Sequence, residues 1–271
     1  MSAVVVACVA LLAAATGPVL RGLIVRYSVP HVSEPEPVAA AAHADADPGQ
    51  PDAYEPPAWR RDCPGCQRAL PGARWRGVAG PLAPTGRCPG CAARIGPAPW
   101  LVEIMAGTVC GLLAWRIAEP WTLAALCWFA LAGVALTFVD VAVHRLPDPL
   151  TLPTYVGLLA LLAIAALVAG EPGRLGVAFL SGLGVCAFYF VLVLISPAGM
   201  GLGDVKLGLS TGTALGWAGW VVAVYGTALG ILLGGLAALV LMAVRRVGRK
   251  DELPHGPFML VGALVMALLV G

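Results

Sequence analysis

Long apolar runs separated by short polar stretches dominate this chain from end to end. A transmembrane helix needs about 20 apolar residues, and eight runs approach that length. They lie at 3–25, 98–117, 121–140, 151–169, 174–196, 205–222, 224–244 and 256–271. The sixth and seventh runs nearly abut, and the last is short for a span. The pattern predicts an all-α membrane protein, a polytopic bundle of about eight transmembrane helices.

The composition agrees with a membrane location. Of the 271 residues, 59% are hydrophobic and only 12% are charged, whereas charged residues make up about 25% of a typical soluble domain. The net charge of +2 gives no reason to expect a nucleic-acid partner, so the expected surroundings are a lipid bilayer. The first run lacks a basic n-region and a clear A-x-A site, which favours a retained anchor over a cleaved signal.

Basic residues alternate between the loops and predict the orientation of the chain. Cytoplasmic loops of membrane proteins carry an excess of Lys and Arg. The segment after the first run and the loops after the third, fifth and seventh runs are basic, through the arginines of 26–97, Arg145, Lys206 and the cluster at 245–250. The intervening loops carry only Arg116 and Arg174. We therefore expect a multi-pass protein of the inner or plasma membrane, with its basic loops in the cytoplasm and its N-terminus outside.

The chain divides into three parts by composition. Residues 1–25 form the first transmembrane helix, 26–97 a cytoplasmic domain, and 98–271 the main transmembrane domain. Within the cytoplasmic domain, 31–58 is rich in Ala, Pro, Asp and Glu, which predicts a flexible insert. The remainder, 59–97, is expected to form a small metal-binding module between the first two helices.

Four cysteines in two Cys-Pro-Gly-Cys turns predict that metal site. Cys63 and Cys66 form the first turn and Cys88 and Cys91 the second, with 21 residues between the turns. Two such pairs are typical of a tetrahedral Cys₄ zinc site, since each short turn directs both sulfurs to one metal ion. A module of about 40 residues also buries too little core to fold without such support. The zinc is expected to be structural; the alternative for these cysteines is thiol–disulfide chemistry.

Two aspartates at the water-facing ends of apolar runs are the strongest candidates for chemistry. Asp140 closes the run WFALAGVALTFVD, and Asp204 lies in GMGLGDVKL. An ionisable residue at a membrane boundary suggests a functional site. The neighbouring Gly201 and Gly203 would let the backbone approach a substrate closely. Lys206 either stabilises charge near the carboxylates or anchors the helix end, and the alternative role for Asp204 is a helix N-cap.

Two close carboxylates can hydrolyse a peptide bond, because they cannot easily both ionise and therefore share a proton. One carboxylate then takes a proton from water while the other donates to the scissile carbonyl group. Two other classes of protein compete with this hypothesis. Asp140 and Asp204 could form the proton relay of a transporter or channel, although transporter acids usually lie nearer the bilayer midplane. The chain could also be a membrane-bound zinc-ribbon scaffold without chemistry, which would leave the glycine-rich surroundings of Asp204 unexplained.

Several motifs together resemble those of type IV prepilin peptidases, which belong to the GxGD family of membrane aspartic peptidases. They are GMGLGDVKL, TFVDVAVHRLPDPLTLP, PHGPFMLVG, the two cysteine turns and the WLVE segment at 100–103. The resemblance implies an enzyme that cleaves type IV pilin or pseudopilin precursors on the cytoplasmic face, after the glycine that ends a short basic leader. It also implies that Asp140 and Asp204 are the catalytic pair and that the four cysteines bind zinc.

Many such enzymes also methylate the new N-terminus with S-adenosylmethionine, and the resemblance leaves this second activity open here. Arg21 stands where the family's first helix has Asn, and the insert at 31–58 follows. Glu103 of the WLVE segment is a candidate for the methyltransferase site or for substrate contact. The alternative is an interfacial carboxylate that pairs with an arginine.

Overall fold

A computed structural model describes residues 2–28, 66, 85–88, 90–92, 96–144, 146–196, 201–244 and 253–270. These residues form nine α-helices and no β-strand. The helices are α1 Ala3–Ala15, α2 Gly17–Tyr27, α3 Leu101–Arg116, α4 Pro120–Val143, α5 Asp148–Ala169, α6 Pro172–Ile195, α7 Leu202–Gly216, α8 Trp220–Ala243 and α9 Gly256–Val270. The insert predicted at 31–58 lies outside the described residues, as does most of the module predicted at 59–97.

The first predicted span is divided into α1 and α2 at Thr16. The hydroxyl of Thr16 donates to the carbonyl oxygen of Ala13 at 2.7 Å, which closes α1. Pro18 lies in the first turn of α2, where a missing backbone N–H costs nothing. Together α1 and α2 still form a continuous apolar segment of 25 residues from Ala3 to Tyr27.

The prediction of an all-α polytopic membrane protein is confirmed, although the lengths of the helices differ from the eight spans expected. Five segments are long and apolar enough to cross a membrane: α1 with α2, α4, α5, α6 and α8. The other three helices are shorter, at 16 residues for α3 and 15 each for α7 and α9. The boundary expected between the sixth and seventh spans was wrong, because α7 ends at Gly216 and α8 begins at Trp220.

The short helix α7 lies at the centre of the bundle, which explains why it does not need the length of a span. Eleven of its fifteen residues are buried, and it packs against α4, α5, α6, α8 and α9. Among the five long segments, α4 is the most enclosed: 56% of its most apolar window is buried, against 28% or less in the others. The predicted aspartates are thus carried by the most enclosed of the long segments, α4, and by a short helix that is mostly buried, α7.

The two ends of the bundle differ in their polar residues. At one end, which we call the aspartate end, the end of α4 lies beside the starts of α7 and α9 and carries Asp140, Asp204 and His255. At the opposite end, Arg116 at the end of α3 reaches the Leu269 carbonyl oxygen near the end of α9. The predicted positions of both aspartates near one membrane boundary therefore correspond to one end of the folded chain.

Candidate active site

Asp140 is buried at the end of α4, with only 4% of its surface exposed. Its Oδ2 accepts a hydrogen bond from the backbone N–H of Gly256 at 3.0 Å, across 116 residues of chain. Gly256 is the first residue of α9. The first N–H groups of a helix have no hydrogen-bond partner inside that helix. The Asp140 carboxylate therefore satisfies one of these groups and lies in the positive field of a helix N-terminus.

Asp204 is the third residue of α7 and is 8% exposed. Its Oδ2 accepts the N–H of Gly201 at 3.1 Å. This bond is the carboxylate half of a capping box; the other half cannot form because glycine has no side chain. The capping role that the sequence offered for Asp204 is therefore present in part. Asp204 caps from the third helical position rather than from the N-cap position. A carboxylate can accept about four hydrogen bonds, so this bond uses only a part of its capacity.

The fold brings these two carboxylates together. Asp140 and Asp204 lie close enough for their charges to interact, although 64 positions separate the residues in the chain. His255, which precedes α9, also interacts electrostatically with Asp204. The Nε2 atom of His255 lies 3.3 Å from the hydroxyl oxygen of Tyr189 on α6. Two acids, an imidazole and a phenol thus form one polar cluster at the aspartate end.

Two glycines let the backbone pack closely around this cluster. A Cβ atom added at Gly256 would lie 2.8 Å from Asp140 Oδ2, so a side chain here would displace the carboxylate. A Cβ atom at Gly203 would lie 2.8 Å from the Cβ of Leu146, in the loop that follows α4. Gly203 therefore lets the start of α7 approach that loop. Gly201 meets no such crowding, since its added Cβ would stay 3.8 Å or more from its neighbours.

Sequence reasoning missed His255 and Tyr189 as members of the cluster. His255 lies in the PHGPF segment, which was noted as a motif, so the signal for it was present. Tyr189 lies in the apolar run FYFVLVLI, where a lone tyrosine carries no signal of its own. Burial lowers the pKa of His255 below its ordinary value, and the nearby charge of Asp204 opposes that shift.

Lys206 pairs with Asp148 at the start of α5 rather than with Asp140 or Asp204. Both side chains are largely exposed, at 49% and 68%. Of the two roles considered for Lys206, the structure favours that of an anchor, which here joins α7 to α5.

The profile of the type IV leader peptidase family matches residues 124–270, a range that contains both aspartates, His255 and Tyr189. The chain belongs to the type IV leader peptidase family. The match covers more than half of the chain and confirms the resemblance seen in the sequence motifs. It also separates the chain from the transporters and scaffolds that were considered as alternatives.

Several curated relatives of the chain are called prepilin leader peptidase/N-methyltransferase. The relative from Stutzerimonas stutzeri is 29% identical over 213 residues, which cover 77% of this chain and 71% of the relative. The one from Aeromonas hydrophila is 33% identical over 188 residues, which cover 69% of this chain and 63% of the relative. The one from Burkholderia pseudomallei is 32% identical over 224 residues, which cover 80% of this chain and 69% of the relative. The alignments thus span about two thirds of the relatives' length. No solved structure matches this chain.

Outside the region of the family match, Arg21 and Glu103 form a buried ion pair between α2 and α3. Arg21 Nε lies 2.7 Å from one carboxylate oxygen of Glu103, and Nη2 lies 2.8 Å from the other. Arg21 also donates to the carbonyl oxygens of Pro97 and Ala98. The side chains are 1% and 7% exposed. Glu103 thus has the geometry of an interfacial carboxylate paired with an arginine; its role in substrate contact stays a prediction.

Three of the four predicted zinc ligands come together in the described part of the chain. The sulfurs of Cys66, Cys88 and Cys91 all lie within 4.8 Å of one another, and those of Cys66 and Cys88 are 3.6 Å apart. Tetrahedral Zn–S bonds of about 2.3 Å would place sulfurs about 3.8 Å apart, so this spacing fits zinc. The backbone N–H of Gly90 donates to the sulfur of Cys88, as a turn around a metal thiolate requires. Cys63 lies outside the described residues.

Proposed function

We propose that the chain is a membrane-embedded aspartic endopeptidase that removes the basic leader from type IV pilin or pseudopilin precursors. The observation that carries this proposal is the meeting of Asp140 and Asp204, two buried carboxylates, at one end of a membrane bundle. Membership of the leader peptidase family and the names of the relatives support the choice of substrate.

In the proposed mechanism, the two carboxylates hold one proton between them. The ionised carboxylate takes a proton from a water molecule, whose oxygen attacks the scissile carbonyl carbon. The protonated carboxylate donates to the carbonyl oxygen, and collapse of the tetrahedral intermediate breaks the C–N bond as the leaving amine takes up a proton. The Gly256 and Gly201 N–H groups orient Asp140 and Asp204 throughout. Water is the nucleophile, and no covalent bond to the enzyme forms.

The charge distribution supports a cytoplasmic position for this site. The aspartate end carries Lys206, and the basic positions 245–250, which lie outside the described residues, come between α8 and α9 in the chain. Short basic loops favour the cytoplasmic side. In the proposed orientation, Asp140 and Asp204 therefore meet the leader of a precursor from the cytoplasm, at the inner membrane.

Methylation of the new N-terminus would need S-adenosylmethionine, and the residues described here do not fit that role. Glu103 is the residue that the sequence suggested for the methyltransferase site. Both of its oxygens are bound by Arg21, and the side chain is only 7% exposed, so it offers no open carboxylate to a cofactor. No step of methyl transfer follows from these residues, and the activity stays a prediction drawn from the relatives' names.

Co-expression with a pilin-like precursor tests the proposed function. In a host without its own prepilin peptidase, we expect membranes that contain the chain to convert the precursor to a form that lacks its leader. Mass spectrometry of the product N-terminus reports the cleavage position after the leader glycine and any added methyl group in one experiment. A precursor whose leader glycine is replaced by a bulky residue serves as the control. An uncut wild-type precursor in membranes that hold the folded chain would contradict the proposal.

We also propose that Cys63, Cys66, Cys88 and Cys91 bind one structural zinc ion. Four thiolates would fill the tetrahedral positions and leave none for water, so the metal takes no part in hydrolysis. Its contribution is to close the module that links α2 to α3.

Replacement of Cys88 by serine should release this zinc. We expect about one zinc ion per wild-type chain and, in the Cys88→Ser variant, a loss of most of it, because three thiolates hold zinc far less tightly than four. Elemental analysis of the purified protein measures the change. Cys8→Ser, which alters an exposed cysteine on α1, is the matched control. An equal zinc content in all three proteins would exclude the Cys₄ site.

A further inference from the structure

A polar cavity lies at the end of the bundle opposite the aspartates. It has a volume of about 200 Å³, and its lining includes Arg116, Arg174, Glu119 and Trp217. Arg116 is the last residue of α3, and Glu119 directly precedes α4. Arg174 lies in the first turn of α6, and Trp217 directly follows α7. With Ala267 and Val270 of α9, five helices converge on a cavity that contains two arginines.

The contacts of these side chains leave the cavity with hydrogen-bond donors. Arg174 Nε donates to the Trp217 carbonyl oxygen at 2.9 Å, and its guanidinium group stacks on the indole at 4.4 Å. Arg116 donates to a backbone carbonyl oxygen at 3.5 Å. Each of these bonds uses one of the five N–H groups of a guanidinium. Trp217 is 4% exposed, and its buried indole N–H has no hydrogen-bond partner among the residues described.

Two acidic residues lie near this cavity, and both interact with Arg174. Glu119 caps α4, and its carboxylate accepts the backbone N–H groups of Trp121 and Thr122. Glu171 lies 3.6 Å from Arg174, but the pair is exposed, at 59% and 43%, and such pairs contribute little. Two guanidinium groups with unused N–H donors and an unsatisfied buried indole N–H favour an anionic ligand with several acceptor oxygens.

A second cavity adjoins the first inside the bundle. It has a volume of about 130 Å³ and runs between α3, α4, α7 and α9 to Pro257. Thr137 is the only residue in its lining with a polar side chain. Four residues line both cavities: Leu126, Ala214, Leu215 and Ala267. A cavity with two arginines at the membrane boundary thus adjoins an apolar cavity at membrane depth.

The size and chemistry of this space, the two adjoining cavities together, indicate the kind of ligand it would take. An apolar cavity of about 150 Å³ stays dry and accepts hydrocarbon, so water does not fill the interior. A helix of about 10 Å in diameter is too wide for it, which excludes the apolar segment of a protein substrate. We propose that the space binds an anionic phospholipid, with the phosphate at Arg116 and Arg174 and part of one acyl chain in the apolar cavity. Basic pockets between transmembrane helices bind lipid headgroups in this way.

Native mass spectrometry of the full chain, purified in a mild detergent, tests this site. We expect the wild-type protein to retain phosphatidylglycerol in preference to zwitterionic lipid. Arg116→Gln and Arg174→Gln should each reduce the retained lipid about fivefold, since a basic residue near anionic lipid contributes a factor of that order. Arg26→Gln, at the other end of the bundle, is the control and should retain as much lipid as the wild type. If both cavity variants retained as much lipid as the wild type, the proposal would be overturned.

A variant of the apolar cavity tests the acyl chain separately. Ala130 lines only this cavity and is half-buried, so Ala130→Leu should fill part of it and lower lipid retention with both arginines intact. Unchanged retention in Ala130→Leu would refute the position of the chain. Vesicles of phosphatidylglycerol should raise the thermal stability of the wild type, whereas phosphatidylcholine vesicles and inorganic phosphate should not. An equal rise with inorganic phosphate alone would show an anion site rather than a lipid site.

Discussion

Asp140→Asn and Asp204→Asn are each expected to lower the rate of precursor cleavage by at least about 1,000-fold, with the fold intact. General acid–base groups contribute about 10²–10⁴-fold, and loss of either member removes the shared proton on which both roles depend. Asparagine keeps the size of the side chain and an acceptor oxygen for the Gly256 or Gly201 N–H. The measurement is the fraction of a co-expressed pilin-like precursor that loses its leader.

Asp148→Asn is the matched control for these variants. Asp148 also lies at the aspartate end, eight positions after Asp140, but its side chain is 68% exposed and pairs with Lys206. We expect cleavage by Asp148→Asn to stay within about twofold of the wild type, because an exposed ion pair contributes about 0–1 kcal/mol. A folded Asp140→Asn or Asp204→Asn variant that still processes its substrate would remove that residue from the mechanism.

Glu103→Ala is expected to lower the free energy of unfolding by about 3–5 kcal/mol. Removal of one partner from a buried ion pair leaves the other charge uncompensated, and Arg21 is only 1% exposed. Replacement of both residues, as in Arg21→Met with Glu103→Leu, should restore part of this loss, because two apolar side chains need no charge partner. Denaturant titration in detergent measures the free energy of unfolding of the wild type and of the two variants.

The exposed pair Lys206–Asp148 provides the comparison for this effect. Lys206→Met breaks an ion pair whose members are 49% and 68% exposed, so it should cost no more than about 1 kcal/mol. If Glu103→Ala destabilised the protein no more than Lys206→Met, the Arg21–Glu103 pair would not be the connection that holds α2 against α3.

The positions of Asp140 and Asp204 could be predicted from sequence because each closes or follows an apolar run in a distinctive local setting. Their neighbours in space could not. His255 and Tyr189 lie 66 positions apart in the chain, and only the fold brings their side-chain polar atoms to 3.3 Å. A lone tyrosine in an apolar run has the same sequence signature whether it faces lipid or a carboxylate.

The prediction of spans failed where burial by protein replaces burial by lipid. The apolar pattern around 205–222 indicated a full span, yet α7 ends at Gly216. A helix enclosed by other helices does not have to match the thickness of the bilayer, so the length rule for spans does not fix its ends. The starts of the helices were predicted better than this end, since α4, α5, α6 and α7 all begin within about three residues of their predicted starts.

Arg21 and Glu103 were both singled out from sequence, but not as partners. Arg21 was noted as a departure from the family's first helix, and Glu103 as a candidate for substrate contact. The two lie 82 positions apart, with the long segment between α2 and α3 separating them. Nothing in the chain between them indicates the distance in space, so their pairing required the fold.

The pairing of the two aspartates is tested most directly by single-turnover cleavage in lipid vesicles with the wild type, both single Asn variants and the double variant. Residues that act as one unit show strongly non-additive losses. We expect each single variant to be as slow as the double variant, with no further loss when the second aspartate is replaced. A double variant whose loss equals the product of two moderate single losses would show that Asp140 and Asp204 act independently, and would contradict a shared catalytic pair.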